Sequence, residues 1–272
     1  MHIPDWNGHQ IEVAKSRGGV PAVCRHFTNL VQGDVGVGES TEIAQKLYHS
    51  EHERDFDPGD QERLKACLGY YTDLQSLHSE DAITWSVFGT VAKSDEAVRT
   101  RWTGEFFGEV GLGSSEPAHS EITLWRRIPH PQTNSPDGPE IDFSISTEDT
   151  LLLGECKWTG KVAGGQGVHR DLDQIEMRLM HLELYGRTMT VLDKDTGLPV
   201  FKRLAVLLVS IDPVPVSPKW IREGITTLST TWDRVCALQS HPFSEELGRY
   251  YRWKLSHTRR KDGRKEDGPS WG

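Results

Sequence analysis

Two apolar runs separated by a short polar segment make up residues 138–158, GPEIDFSISTEDTLLLGECKW. In the first run, residues 140–146, apolar and polar side chains alternate, which predicts a half-buried strand with one polar face. The second run, residues 151–158, is apolar on both faces, as is typical of a strand at the centre of a sheet. Asp142 therefore lies in one predicted strand and Glu155 in the next.

The charged side chains of these two strands form a combination suited to phosphodiester chemistry. Lys157 lies two residues after Glu155 and so shares its face of the strand, whereas Cys156 points to the opposite face. Carboxylates are oxygen ligands of the kind that Mg²⁺ prefers, and the bound ion can polarise a phosphate and acidify a water. A lysine beside it can stabilise charge that develops on the phosphate. Unpaired acids on a buried strand are costly, which favours a function over chance.

Patterns on either side extend these two strands into a longer series of elements. Helical spacing of apolar residues, predicted caps and buried runs define each element. The predicted order is a helix capped by Ser79, a helix capped by Ser94, strands at 121–128, 140–146 and 151–158, a helix from Leu172 that ends at Gly186, a strand at 203–211 and a helix from Ser217 to Val235.

The acid of the first strand, the Glu-x-Lys of the second and this order of elements resemble the PD-(D/E)xK nuclease superfamily, the fold class of many restriction endonucleases. The resemblance covers residues 79–240. It implies an α/β fold with a restriction endonuclease-like αβββαβ core, in which helices flank a mixed central sheet. It also implies hydrolysis of phosphodiester bonds with Mg²⁺ or Mn²⁺, with DNA as the expected substrate, in restriction, phage defence or DNA repair.

The resemblance assigns roles to residues of the motif. Asp142 and Glu155 would hold the metal together with the backbone carbonyl of Cys156, and Lys157 would act on the water or the phosphate. Asp137, which follows a proline and so spells the literal motif, is an alternative first acid. We prefer Asp142 because it lies within a strand pattern, whereas Asp137 lies in a loop rich in proline, asparagine and glycine.

Two supporting residues are implied in the same way. Superfamily members often carry a glutamate on the helix before the core strands, where this chain has Glu80, although the helix dipole alone favours acids in a first turn. They often carry a glutamine on the helix after the Glu-x-Lys, where this chain has Gln174. A capping interaction between Asp171 and Gln174 is the alternative interpretation.

The glycine-rich loop 159–170 carries the candidate nucleic-acid contacts Lys161, His169 and Arg170. Such a loop beside a metal could fold over a phosphate backbone, or it could be a plain connection. It lacks the GxxxxGK[ST] spacing, which excludes a nucleotide-binding P-loop.

Chain length, apolar runs and cysteine spacing predict the domain organisation, the location and the state of the thiols. The 272 residues predict an N-terminal, mainly helical extension (1–78), the nuclease-like domain (79–240), and a short helix with a basic, disordered tail (241–272). No apolar run approaches the roughly 20 residues of a membrane span, and no secretory pattern opens the chain, so we expect a cytoplasmic protein. Four cysteines without CxxC spacing predict buried, reduced thiols.

A second class of function stays open. The net charge of −9 and the lack of a recognised DNA-binding motif favour a catalytically idle, nuclease-like module that binds nucleic acid or a partner protein. A structural protein with a chance Glu-x-Lys is the third alternative. Cleavage of both strands of a duplex would call for a homodimer or a partner subunit.

Overall fold

The computed structural model describes residues 1–31, 40–128, 138–159, 162, 172–186, 190–192, 199–201 and 203–258. The chain divides into two compact units. Unit 1 combines residues 1–90 with the segment from residue 243 onward, and unit 2 comprises residues 91–242.

Unit 1 contains a three-stranded antiparallel sheet and short helices. Its strands β1 (His2–Pro4), β2 (Gln10–Lys15) and β3 (Pro21–Val23) pair in that order. Its helices are α1 (Thr41–Lys46), α2 (Pro58–Lys65) and α3 (Glu80–Thr84). Helix α3 continues through a π-helical turn (Trp85–Gly89) into α4 (Thr90–Ala92) at the unit boundary. Short 3₁₀ segments lie at His26–Asn29, Glu51–Asp55 and Asp73–Gln75. The extension therefore contains a small sheet beside the predicted helices; its strands of three to six residues are too short to show a clear period of two.

A helix from the far end of the chain, Ser244–Ser256, completes unit 1. Tyr250 donates its hydroxyl to the carbonyl of Asn29 at 3.0 Å, and the Trp253 indole donates to the carbonyl of Pro4 at 2.9 Å. The ammonium group of Lys254 donates to the carbonyl of Leu77 at 2.7 Å. The predicted C-terminal helix thus exists, but it belongs to unit 1 and is not a separate segment. The predicted disordered tail beyond residue 258 lies outside the described residues.

Unit 2 is built on a mixed five-stranded sheet, which confirms the α/β class. Its elements are α5 (Glu96–Val110), β4 (Ser120–Arg127), β5 (Glu140–Thr147), β6 (Thr150–Cys156), α6 (Gln174–Tyr185), β7 (Thr190–Leu192), β8 (Pro199–Phe201), β9 (Arg203–Ser210), β10 (Ile225–Thr231) and α7 (Trp232–Cys236). The strand order is β10-β9-β6-β5-β4. The β4–β5 and β5–β6 pairs are antiparallel, whereas β6–β9 and β9–β10 are parallel. The strands β7 and β8 form a separate antiparallel pair. We number the helix Ser244–Ser256 of unit 1 as α8.

The two long helices of unit 2 cover opposite faces of the sheet. Helix α6 makes the crossover that two parallel strands require, and its Ile175 and Leu179 pack in one cluster with Leu153 of β6. On the other face, Phe106 of α5 contacts the ring of Phe143 in β5. Because side chains alternate along β6, Glu155 follows Leu153 on the α6 face.

The helix predicted from Ser217 to Val235 is wrong. The chain makes one 3₁₀ turn at Pro218–Trp220, then the strand β10, and only then the short helix α7. Apolar residues at intervals of three and four suggested a helix, but β10 reads ITTLSTT, and β-branched threonines favour a strand that pairs with β9. Gly224, with φ of 75°, reverses the chain before the strand.

Two expectations from composition can be compared with the structure. Among the described residues, none of the helices has the length and apolar character needed to cross a bilayer. All four cysteines are free thiols, and Cys24, Cys156 and Cys236 are buried as predicted, whereas Cys67 is exposed.

Candidate functional site

The sheet of unit 2 opens at Asp142. The β5–β6 ladder ends at the pair Phe143–Gly154, so the two strands separate one residue before Asp142 is reached. On the other side, the β4–β5 ladder skips the pair of Trp125 and Asp142. Trp125 has φ of 53°, a left-handed conformation that is uncommon for a large side chain. Asp142 therefore lies where neither neighbouring strand pairs with its backbone.

The carboxylate of Asp142 enters the gap between β5 and β6. The backbone N–H of Cys156 donates to its Oδ2 at 2.7 Å. Burial and the neighbouring charge of Glu155 raise the pKa of Asp142 well above its usual range, while Lys157 and Arg178 act in the opposite direction. A buried carboxylate with a second carboxylate beside it forms a site that a cation can stabilise.

Glu155 is buried between two cationic side chains. It is 1% exposed; its Oε1 lies 2.9 Å from Nζ of Lys157, and its Oε2 accepts a hydrogen bond from Nη2 of Arg178 at 2.9 Å. The lysine contact has the distance of an ion pair but not the alignment of a hydrogen bond, so Oε1 has no hydrogen-bond partner among the described residues. This buried oxygen keeps a lone pair available for another ligand.

The backbone around Lys157 is fixed just beyond the end of β6. Its N–H donates to the carbonyl of Val209 at 2.8 Å, which extends the parallel ladder, and its carbonyl accepts from the indole of Trp232 at 2.9 Å. The residue is 9% exposed. Its ammonium group is thus held beside Glu155, and the structure brings the predicted residues Asp142, Glu155 and Lys157 together in unit 2.

Arg178 of α6 completes this cluster and was not predicted. It is 2% exposed, and besides its bond to Glu155 it donates to the backbone carbonyl of Glu140 at the start of β5. Its Nε and Nη1 make no hydrogen bond to any residue that the structure describes. The signal in the sequence was its place three residues after Ile175 and four before Leu182, on the buried side of the helix.

Gln174 is the first residue of α6 and is half-buried. The helix is capped by Asp173, which accepts from the N–H of Glu176 while Glu176 accepts from the N–H of Asp173. The capping box is therefore shifted by two residues from the predicted pair of Asp171 and Gln174, and Asp171 itself lies outside the described residues. The catalytic role of Gln174 stays a prediction.

Glu80 belongs to unit 1, where it opens α3 behind its N-cap Ser79. Burial lowers the pKa of Lys254 well below its usual range, and the charge of Glu80 opposes that shift. The role of Glu80 as a metal ligand stays a prediction. The remaining candidates, Asp137, Lys161, His169 and Arg170, lie outside the described residues.

The two carboxylates fit a hard divalent cation that keeps part of its water shell. No group of three or more histidine, cysteine, aspartate or glutamate side chains in the described part of the chain could hold a metal. Mg²⁺, however, is commonly held by one or two carboxylates with waters in its other positions. The raised pKa of Asp142 and the available Oε1 of Glu155 agree with such a ligand set.

A cavity of about 370 Å³ lies on the α6 face of β4 and β5. Its lining includes the hydroxyl groups of Ser144 and Ser146 and the exposed side chains of Arg126 and Arg127. Arg127 pairs in the sheet with Glu140, two residues before Asp142. Positive charge therefore lies at the same end of the sheet as the two acids.

Comparison with protein-family models, with curated proteins and with solved structures finds no match to this chain. Function is therefore inferred from the geometry of the site itself.

Proposed function

We propose that this chain is a metal-dependent nuclease of the PD-(D/E)xK type that hydrolyses phosphodiester bonds, with DNA as its substrate. The observation that carries the proposal is the enclosed cluster of Asp142, Glu155 and Lys157 at the opening between β5 and β6. The chain order α5-β4-β5-β6-α6-β9 and the mixed sheet support the αβββαβ core of that superfamily. Action in defence or repair is an expectation from the same resemblance.

Each residue of the cluster has a part in the proposed reaction. When bound, Mg²⁺ or Mn²⁺ supplies polarisation of the phosphate and a more acidic water. Asp142 and Glu155 would hold that ion with the carbonyl of Cys156, which the N–H bond to Asp142 keeps at the opening. Lys157 would donate to a phosphate oxygen as negative charge develops there, or orient the attacking water.

The exposed arginines at the same end of the sheet supply a contact for nucleic acid despite the overall acidic charge. Arg126 and Arg127 lie at the end of β4, at the end of the sheet where β5 and β6 separate. Phosphate contacts need only a local positive surface. The net charge of −9 is compatible with that surface because acids at a metal site and elsewhere lower the total.

A cleavage assay tests the proposal. Plasmid, single-stranded DNA and RNA would be incubated with Mg²⁺ or Mn²⁺ and the wild-type protein, Lys157→Ala or Asp142→Asn. Asparagine keeps an oxygen acceptor for the N–H of Cys156 but carries no charge. We expect both variants to lose about 10²–10³-fold in rate, as is typical when one charge-stabilising group is removed.

The matched control is Lys15→Ala, which removes an exposed lysine at the end of β2 in unit 1. It should cleave like the wild-type protein. Metal-dependent cleavage that persists unchanged in Lys157→Ala would rule out the proposed site.

The second candidate is the catalytically idle binding module. It is favoured by one observation: Lys157 and Arg178 already engage both oxygens of Glu155, so the buried charge is compensated by the protein alone. Tight DNA binding without cleavage under Mg²⁺, Mn²⁺ and Co²⁺ would support this candidate over the nuclease.

A further inference from the structure

We infer that Arg178, together with Lys157, compensates the charge of both site acids in their ionised form, so that a divalent cation binds together with the phosphodiester and not ahead of it. Arg178 is then a positioning residue that sets the order of binding. The inference rests on the proposed function and adds a regulatory property to the same site.

The charges of the cluster support this inference. In the form that holds a metal, Asp142 and Glu155 are both ionised and contribute two negative charges, and Lys157 and Arg178 contribute two positive charges. A divalent cation alone would therefore leave the enclosed cluster with two uncompensated positive charges, which is costly away from water. A phosphodiester brings a negative charge and removes part of that cost, so the two ligands should assist each other.

Arg178 is held too firmly to move aside when a cation enters. Its guanidinium group binds the carbonyl of Glu140 as well as Glu155, and the residue is almost completely buried. Helix α6 is in turn fixed at its first turn, where Asp173 accepts a hydrogen bond from the indole of Trp220 at 2.9 Å. Arg178 therefore stays on Oε2 of Glu155.

This arrangement also determines which oxygen can reach a cation. Oε2 of Glu155 is engaged by the guanidinium group, whereas Oε1 has only the poorly aligned contact with Lys157. Glu155 should therefore hold the cation through Oε1 alone.

Calorimetric titration of Mn²⁺ tests the inference without relying on cleavage. Mn²⁺ is added to the protein alone and to the protein saturated with a short DNA duplex whose linkages are phosphorothioates, with the duplex alone as the blank. We expect the duplex to tighten Mn²⁺ binding about tenfold or more, within the usual range of coupling between two sites.

Two variants separate charge from packing. Arg178→Gln removes the charge and keeps a hydrogen-bond donor, so the protein alone should bind Mn²⁺ about tenfold more tightly and the effect of the duplex should shrink. Arg178→Lys keeps the charge and should titrate like the wild-type protein. If Arg178→Gln does not fold, the inference is still tested by the titrations of the wild-type protein and of Arg178→Lys with and without duplex.

Equal Mn²⁺ affinity of the wild-type protein with and without duplex would overturn the inference, as would unchanged affinity in a folded Arg178→Gln. Cleavage by a wild-type protein with uncoupled Mn²⁺ binding overturns only this inference. Coupled Mn²⁺ binding without cleavage of any nucleic acid overturns only the proposed function.

Discussion

Asp142 makes the free energy of unfolding of this chain depend on pH. Burial and the charge of Glu155 raise its pKa in the folded state, so the folded protein favours the protonated form. That preference stabilises the fold fully at pH values below the pKa that the aspartate has in the unfolded chain. The contribution is lost as pH rises through the raised pKa of the folded state. Above that window, the ionised side chain lowers the free energy of unfolding.

Replacement of Asp142 with asparagine should therefore stabilise the metal-free protein at high pH. We expect Asp142→Asn to raise the free energy of unfolding by about 1–3 kcal/mol at pH 8, the range for a buried group that lacks full compensation. The gain should vanish toward pH 4. Urea denaturation in EDTA from pH 4 to 8 measures the difference, and a gain that does not change with pH would contradict this explanation.

The acids and the lysine of the site could be predicted from the sequence, but the arginine could not. Glu155 and Lys157 stand two apart on an apolar run, and a strand has only two faces, so their proximity follows from local geometry. Arg178 reaches Glu155 from another element, 23 positions along the chain. Whether an arginine on a helix stripe extends to solvent or stays buried depends on packing that no local pattern contains.

At the level of elements, the close approach of β5 and β6 depends on a glycine. The ring of Phe143 lies against Gly154 in the last pair before the strands separate, and a Cβ atom there would overlap the ring. Phe143 is fully buried and cannot turn outward. The absence of a side chain at Gly154 thus lets the ring pack directly beside the opening.

Gly154→Ala should destabilise the protein by about 1–3 kcal/mol, as is typical when a core is overpacked. A second change, Phe143→Leu, should restore part of the loss by making room for the new methyl group. Gly59→Ala is the control, because a Cβ there contacts nothing within 4 Å and alanine favours the helix α2. Thermal unfolding of the wild-type protein and these three variants gives the comparison, and an unaffected Gly154→Ala would show that the strands separate readily.

Elements with one dominant signal were predicted well, and elements with two competing signals were not. The strands β4, β5, β6 and β9 lie within a residue or two of their predicted positions, and Gly186 follows α6 as expected. The segment that forms β10 shows helical spacing, but its threonines and its pairing with β9 determine the outcome. Asp95, and not the predicted Ser94, caps α5. Either side chain can accept a hydrogen bond from an unpaired backbone N–H at the start of a helix, so the sequence alone does not distinguish the two.

At the scale of the molecule, unit 1 is assembled from both ends of the described chain. Helix α8 provides hydrogen bonds to Asn29, Pro4 and Leu77, and its Tyr250 and Trp253 rings pack against Trp6. Without the helix, Asn29, Pro4, Leu77 and Trp6 lose these contacts. The first 90 residues therefore depend on a helix that lies beyond unit 2 in sequence.

A chain that stops at residue 242 should lose the native structure of unit 1. Hydrogen exchange of residues 1–31 measures this, and we expect their slowly exchanging amides to become fast, because the local free energy of opening falls with the lost contacts. A chain that stops at residue 258 keeps every described contact and serves as the control. Full protection of β2 in the shorter chain would show that the sheet is stable without α8.

The division of unit 1 around unit 2 also determines the order in which the protein is completed on the ribosome. Residues 1–90 emerge first, yet they wait through the synthesis of residues 91–242, roughly ten to thirty seconds at ordinary elongation rates, before α8 exists. Unit 2 is continuous and can be finished earlier. Unit 2, which carries Asp142 and Glu155, can thus fold first, while the apolar surface around Trp6 stays open to chaperones until α8 has been synthesised.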